Sequence, residues 1–265
     1  MLRVLMIGDI VGRPGRKAVR EKVKAYRQKY KLDFVIANGE NAAGGVGLTR
    51  EIADELYAAG VDFITMGNHT WDKKEIFTFI DHEPSIVRPA NYPPGTPGMG
   101  SAVVRINKVN KIGIINLAGR VFLPALDCPF RAADEIVNKM RKETTLIFVD
   151  FHAEATSEKI AMGYYLDGRV SAVVGTHTHV QTSDERILPG GSAYITDVGM
   201  TGPRDSVLGV QTDLVIQKFI TQLPVRFEVA EGVAQLNGVL LELDENTGKA
   251  ISIERIIDTI DNKTK

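Results

Sequence analysis

Leu2-Arg3-Val4-Leu5-Met6-Ile7-Gly8-Asp9 is a short apolar run that stops on a glycine and a carboxylate. It reads as a buried parallel strand delivering Asp9 at its C-terminal end, where open α/β sheets place their sites. The same grammar recurs. Residues 33–37 (DFVIA) run into Asn38-Gly39-Glu40-Asn41, and residues 61–66 (VDFITM) run into Gly67-Asn68-His69. Three consecutive strand–helix units thus end in side chains able to hold a metal, a recurrence that folding alone does not require. Residues 145–150 (TLIFVD) then lead to Phe151-His152-Ala153-Glu154, and residues 170–174 feed Gly175-Thr176-His177-Thr178-His179. In an extended segment, side chains two residues apart share a side at about 6.6 Å. That spread lets His177 and His179 reach two ions roughly 3.5–4 Å apart.

Helices are expected over residues 16–30, with Val19, Val23 and Tyr26 at helical spacing, and over 50–59, capped by Thr49 and ended by Gly60. Further helices are expected over 71–80, 131–142, 157–166 and 208–222. Five prolines and several glycines make 83–100 irregular, as a lid or an oligomer contact. Residues 102–106 and 111–117 read as antiparallel strands, 186–188 and 193–196 as a hairpin, and 197–205 as a Gly/Pro loop. Strands are expected within 225–243 and 250–257, and a frayed tail over 258–265. No repeat or linker divides the chain, so one domain spans 1–265. Its class is α/β (α+β): two β-rich layers with helices outside.

Composition narrows the partners. A net charge of -1 gives no global attraction for nucleic acid or an anionic membrane, so a phosphate-bearing ligand needs local positive charge. The single Cys128 excludes an internal disulfide framework and a cysteine-based zinc site. No segment reads as a targeting leader or approaches the roughly 18 apolar residues of a membrane helix. The expectation is a cytoplasmic protein with no membrane partner.

Collected by strand end, the candidate site residues are Asp9, Glu40, Asn41, Asn68, His69, His152, His177 and His179. Oxygen and imidazole donors without thiolate suit Mn, Fe, Zn or Ni better than Ca or copper. A carboxylate bridging two such ions lowers their repulsion. The bridged water becomes hydroxide near neutral pH, and the pair clamps the oxygens of a phosphoryl centre.

In this order and spacing the residues resemble the calcineurin-like metallophosphoesterase superfamily, and more closely its YmdB-like branch. The resemblance is carried by Gly8-Asp9-Ile10-Val11-Gly12, Asn38-Gly39-Glu40-Asn41, Met66-Gly67-Asn68-His69-Thr70-Trp71, the run from Asp150 to Lys159, and the run from Gly175 to Thr182. It implies a two-layer β-sandwich flanked by helices, carrying two divalent or trivalent transition-metal ions. By position, Asp9 and His179 would hold one ion, Asn68, His152 and His177 the other, and Glu40 would bridge them. Asn41 stays open between completing the first site and acting as a structural amide. His69 would be no ligand but a general acid or electrostatic stabiliser at the leaving oxygen. Asp9-Ile10-Val11 replaces the superfamily's Asp-x-His, and Glu40 its bridging aspartate. Both departures belong to the YmdB-like branch, which is associated with iron and with hydrolysis of 2',3'-cyclic nucleotides; Mn and Zn are the alternatives.

The function expected is a metal-dependent phosphodiesterase acting on a small phosphodiester or cyclic nucleotide, with an RNA-derived substrate within the same chemistry, in a homo-oligomer. The alternative is a regulatory or RNA-associated metal-binding protein with little turnover. Among the remaining polar residues, Asp72 is read as orienting His69, and His82 as a surface histidine. Cys128 is read as packing, and Glu154 as either a ligand's partner or a helix start. Arg120 and Arg204 are candidate phosphate or base contacts.

Overall fold

The computed structural model describes residues 1–260. The chain opens with β1 (Leu2–Ile7), β2 (Asp9–Ile10), α1 (Gly12–Tyr30), β3 (Phe34–Asn38), α2 (Arg50–Ala59) and β4 (Phe63–Thr65). Two 3-10 turns, Lys74–Thr78 and Ile80–His82, lead to β5 (Ile86–Val87), β6 (Ser101–Arg105), β7 (Lys111–Ala118), α3 (Pro129–Met140), β8 (Ile147–His152) and α4 (Thr156–Leu166). Then follow β9 (Ala172–Thr176), β10 (Arg186–Ile187), β11 (Ala193–Ile195), β12 (Met200–Pro203), α5 (Thr212–Thr221), β13 (Ala234–Leu243) and β14 (Ala250–Ile260).

The strands form two sheets. The first runs β2-β12-β13-β1-β3-β4-β5, with β14 on the other edge of β13; the second runs β10-β11-β9-β8-β7-β6. The opening strand predicted to be parallel is so: β1 pairs β3, and β3 pairs β4 in the same sense. In the second sheet the expected antiparallel pairs β6–β7 and β10–β11 form, and β7 and β11 also run parallel with β8 and β9 between them. Each central strand is covered on both faces, which is why it reads as a continuous apolar run rather than an alternating one. Val4, Met6, Ile36 and Phe63 of the first sheet meet Ile114, Phe148 and Val174 of the second in a shared core. On the outer faces Leu5, Ile7 and Val35 pack against Val19, Val23 and Leu56 of α1 and α2, while Ile147 and Val149 pack against Val137 and Met162 of α3 and α4. The result is a two-layer β-sandwich flanked by helices. The predicted cap holds on α2: Thr49 Oγ1 accepts from the Ile52 N–H, and Gly60 closes the helix at φ 108°.

The differences have local causes. Helix α1 begins at Gly12, ahead of residue 16, because Pro14 falls in its first turn, where its missing N–H costs nothing. The helix expected over 71–80 is instead a pair of 3-10 turns. Residues 197–205 were expected to be a loop, yet they hold β12, whose Gly202 and Pro203 hide a strand that Met200 and Thr201 pair to Asp9 and Ile10. The strand expected from residue 225 starts at Ala234, and α5 starts at Thr212. Asp258–Ile260 continue β14 rather than fray; the rest of the expected tail lies outside the described residues.

Candidate metal centre

Parallel strands carry their C-terminal ends to one side, and here both sheets do so at the same end of the sandwich. Asp9 lies in β2, Glu40 and Asn41 follow β3, Asn68 and His69 follow β4, His152 ends β8, and His177 and His179 follow β9. Asp9, Glu40, Asn41 and His152 are buried, and the other four are partly covered. All eight residues predicted from the sequence therefore converge. They line, or lie directly beneath, a cavity of about 460 Å³ walled by Glu40, Asn41, His69, His177 and His179. Two backbones make this convergence close. A Cβ on Gly8 would sit 1.8 Å from the Gly199 carbonyl oxygen, so only glycine lets β1 hand Asp9 to β12. A Cβ on Gly67 would sit 2.3 Å from Glu40 Oε2 and 2.4 Å from His152 Nε2, filling the centre itself.

The donors fall into two groups that share Glu40. Around His152 Nε2 lie Asn68 Oδ1 at 2.9 Å, Glu40 Oε1 at 3.0 Å and His177 Nδ1 at 3.0 Å. On the other side His179 Nε2 lies 4.0 Å from Asp9 Oδ1 and 3.2 Å from Asn41 Nδ2, and Asn41 Nδ2 also donates to Glu40 Oε1 at 3.2 Å. In this orientation Asn41 offers hydrogens rather than lone pairs; turning its amide over presents Oδ1 at the same place.

Every histidine of the site has one ring nitrogen tied down and the other facing inward. His152 Nδ1 pairs with Thr176 Oγ1 at 2.9 Å, and that hydroxyl donates to Asp150 Oδ1 at 2.7 Å, so Nδ1 carries the hydrogen and Nε2 faces the centre. His179 Nδ1 donates to the Leu208 carbonyl at 3.0 Å. His177 Nε2 meets Glu154 Oε2 at 3.1 Å, leaving Nδ1 inward. His69 Nδ1 meets Asp72 Oδ2 at 2.7 Å, leaving Nε2 for the cavity, while its backbone N–H holds Glu40 Oε2 at 3.0 Å. Carboxylates, hydroxyls and backbone carbonyls in these outer positions are what fixes a ligand histidine's tautomer.

A cation fits this arrangement. One imidazole nitrogen has a single hydrogen or a single lone pair, so His152 Nε2 cannot satisfy three acceptors at once, whereas one positive ion among them can. The carboxylate of Asp9 is fully buried, and its Oδ1 has no hydrogen-bond partner. Glu40, His152 and His177 place one donor atom each within 4.8 Å of one another. The charges agree. Burial drives His152 toward its neutral form, but Glu40 and Asp9 prevail and hold its pKa up at about 9. Burial raises Asp9 to about 6, against the pull of His179 and His152. Burial and the neighbouring His152 push His177 down to about 3. The centre thus favours positive charge at one histidine and disfavours it at the next.

Beneath the centre sits a second polar layer. Asp197 Oδ2 accepts from Lys159 Nζ at 2.6 Å, from Thr178 Oγ1 at 2.8 Å and from the Thr178 N–H at 3.1 Å; its Oδ1 accepts from the Gly199 N–H. Thr178 is the residue between the two histidines, and both are in left-handed backbone, His177 at φ 101° and His179 at φ 67°. Such conformations cost about 1–3 kcal/mol each and persist where surroundings impose them. The Asp197 clamp supplies that constraint.

Asp72 meets His69, Glu154 meets His177, and His82 is exposed. Arg120 and Arg204 do not line the cavity: Arg204 pairs with Asp205, and the Arg120 backbone N–H donates to Glu158. Cys128 sits at the N-cap of α3 away from the site. Sequence reasoning missed Leu208 and the Phe227-Glu228-Val229 wall of the cavity. No periodicity marks either; only the backbone pairing of Val210 with Val229 brings that wall in.

The fold is that of a calcineurin-like phosphoesterase. Over residues 5–256 the sequence matches the profile of the YmdB-like protein family, and the chain belongs to that family. A relative from Bacillus subtilis (strain 168), named 2',3'-cyclic-nucleotide 2'-phosphodiesterase, is 60% identical over 256 residues, 97% of each chain. Two crystal structures superpose closely. One, a hypothetical protein from Thermus thermophilus, is 43% identical with a TM-score of 0.92, covering 97% of this chain and 99% of that one. The other, described as a novel phosphatase from Mycoplasma pneumoniae, is 41% identical with a TM-score of 0.93, covering 99% and 95%.

Proposed function

We propose that the protein is a metal-dependent phosphoric diester hydrolase that opens 2',3'-cyclic nucleotides to nucleoside monophosphates. The observation that carries this reading is His69. It lines the cavity, and with Nδ1 braced by Asp72 its Nε2 is left for a ligand in the cavity. A metal site that only held the fold together would have no use for it. In this reading, Asp9, His179 and Asn41 would hold one ion, Asn68, His152 and His177 would hold the other, and Glu40 would serve both. The ions, when bound, supply an activated water and positive charge for the phosphate oxygens. Glu40 keeps its geometry through the His69 N–H. Asp72 holds the His69 hydrogen on Nδ1 when the ring is neutral and stabilises the ring when charged. His69 Nε2 gives its proton to the departing ribose oxygen. The 60% identical relative named for this activity supports the substrate class. The nitrogen and oxygen donor set supports iron, with manganese or zinc as alternatives. A lone cysteine fits the reducing cytoplasm.

The test is hydrolysis of a 2',3'-cyclic nucleotide by protein loaded with Fe or Mn. His69→Ala should lower kcat by roughly 10²–10⁴-fold with metal content unchanged. Stoichiometric metal with equal turnover in wild type and His69→Ala would instead favour the low-turnover regulatory reading.

The homo-oligomer belongs to the same proposal. Of the α5 residues only Val215 is buried, while Ile216, Phe219 and Ile220 are exposed. Light scattering should give a multiple of the monomer mass. Phe219→Glu with Ile220→Glu should return the monomer; an unchanged mass would remove α5 from the interface.

A further inference from the structure

The Phe227-Glu228-Val229 segment is a strap. The Gln211 N–H donates to the Glu228 carbonyl, the Ala230 N–H donates to the Gly209 carbonyl, and Val229 lies over Gly12 and Gly45. On one side of the strap is the catalytic cavity. On the other is a second, larger cavity of about 560 Å³, and the two share Gly44, Phe227, Glu228 and Val229 as wall. The second cavity is lined by Arg13 and Lys17 from α1 and by Arg226 from the strap. Among the described residues no ion pair or hydrogen bond engages the side chain of Arg13 or Arg226. Other arginines of this chain are committed: Arg3, Arg16, Arg27, Arg50 and Arg255 all hold carboxylates. Glu228 and Glu231 also line the cavity, yet neither pairs with these two guanidinium groups. Phe227, half exposed, stands where the cavities meet.

Two uncommitted guanidiniums around a hollow beside a phosphoester site point to a second anion. The chemistry of the substrate says where that anion is attached. In a 2',3'-cyclic nucleotide both the 2'- and 3'-oxygens are bound to the scissile phosphate, so the 5'-oxygen is the one sugar oxygen left to carry another phosphate. We propose that the cavity beyond the strap binds a phosphate on the 5'-oxygen of the nucleotide being hydrolysed, through Arg13 and Arg226, and that Phe227 stacks on a base between the cavities. The inference rests on the phosphodiesterase reading. It names the preferred substrate as a 5'-extended cyclic phosphate: a nucleotide carrying a 5'-monoester, or the 3' end of a ribonucleotide chain, where the 5'-phosphate is a diester. Arginine suits either, since its planar fork takes two phosphate oxygens at once, and aromatic stacking is tolerant of base identity.

Binding is measured apart from turnover by calorimetric titration of the metal-loaded protein with reaction products. The probes are adenosine 3'-phosphate, adenosine 3',5'-bisphosphate, and the dinucleotide ApA carrying a 3'-phosphate. Wild type should bind the extended probes about tenfold more tightly than the first, as expected for a charge-assisted phosphate contact near the surface. Arg13→Ala with Arg226→Ala should bring that ratio to about 1, with an unchanged Tm because both side chains are exposed. Phe227→Ala should weaken the dinucleotide by about tenfold and the bisphosphate less. A gain for both extended probes identifies the 5'-phosphate itself as the ligand; a gain for the dinucleotide alone identifies the chain end. A ratio of 1 in wild type, or a ratio that survives loss of both arginines, overturns the proposal. Absence of turnover on the cyclic forms of all three would overturn the phosphodiesterase reading, while the product affinities still decide the second site.

Discussion

Glu40→Gln should abolish hydrolysis, lowering kcat/KM by on the order of 10³-fold or more. That exceeds the roughly 10–100-fold cost of losing a partner outside a metal's own ligands. The side chain is almost fully buried, and its two oxygens face three different groups: His152 Nε2 and Asn41 Nδ2 at Oε1, and the His69 N–H at Oε2. Glutamine keeps the volume and one acceptor but replaces the other oxygen with an NH₂ group. That group can donate to His152 but cannot hold a cation. Stability of the metal-free protein should change little, since the substitution removes a carboxylate from a centre that already contains Asp9. Metal content by elemental analysis and the rate on a cyclic nucleotide are the measurements. Two ions per chain with full activity would dismiss Glu40 as the shared ligand.

Lys159→Met should produce the largest loss of stability. The ammonium is 1% exposed and its partner Asp197 is fully buried. Methionine fills the space and leaves a buried carboxylate without its counter-charge, a change worth about 3–5 kcal/mol. For a chain of this size that is a fall of about 10 °C in Tm. Asp197→Asn in the same background should recover part of it, because the amide oxygen can still accept from Thr178 while the uncompensated charge is gone. The double variant should nevertheless bind metal more weakly than wild type, since the clamp on the backbone between His177 and His179 loses an acceptor. A single variant that melts within a degree or two of wild type would show that Asp197 is neutralised by something other than Lys159.

The strands of the sandwich were legible because each is a short apolar run interrupted abruptly by a polar residue, and burial on both faces leaves no other reading. The eight converging residues were legible for the same reason: parallel strands export their C-terminal ends to one place, so polar side chains at five such ends must meet. What escaped depended on partners far along the chain. Lys159 looks like an ordinary helix residue in Ser157-Glu158-Lys159, and its burial is decided by Asp197, 38 residues later. Met200–Pro203 carries a glycine and a proline that mimic a loop, and becomes a strand because Asp9 and Ile10 offer it an edge. Phe227 sits in a stretch read as strand and enters the site only through pairing of its neighbour with Val210.

The two sheets contribute to the centre from opposite sides of the sandwich: Asp9, Glu40 and Asn68 from the first, His152, His177 and His179 from the second. Any ion shared between these groups is therefore also a rivet. Its binding energy is drawn from the folded chain alone, because the unfolded chain scatters the donors. Occupancy therefore adds to the resistance of the whole sandwich to opening, by an amount that grows with the logarithm of the free ion concentration over Kd. On the metal-dependent reading proposed above, ion supply would set lifetime as well as turnover. A cell short of the ion would hold fewer copies of the protein, and the idle copies would be the first that proteases find.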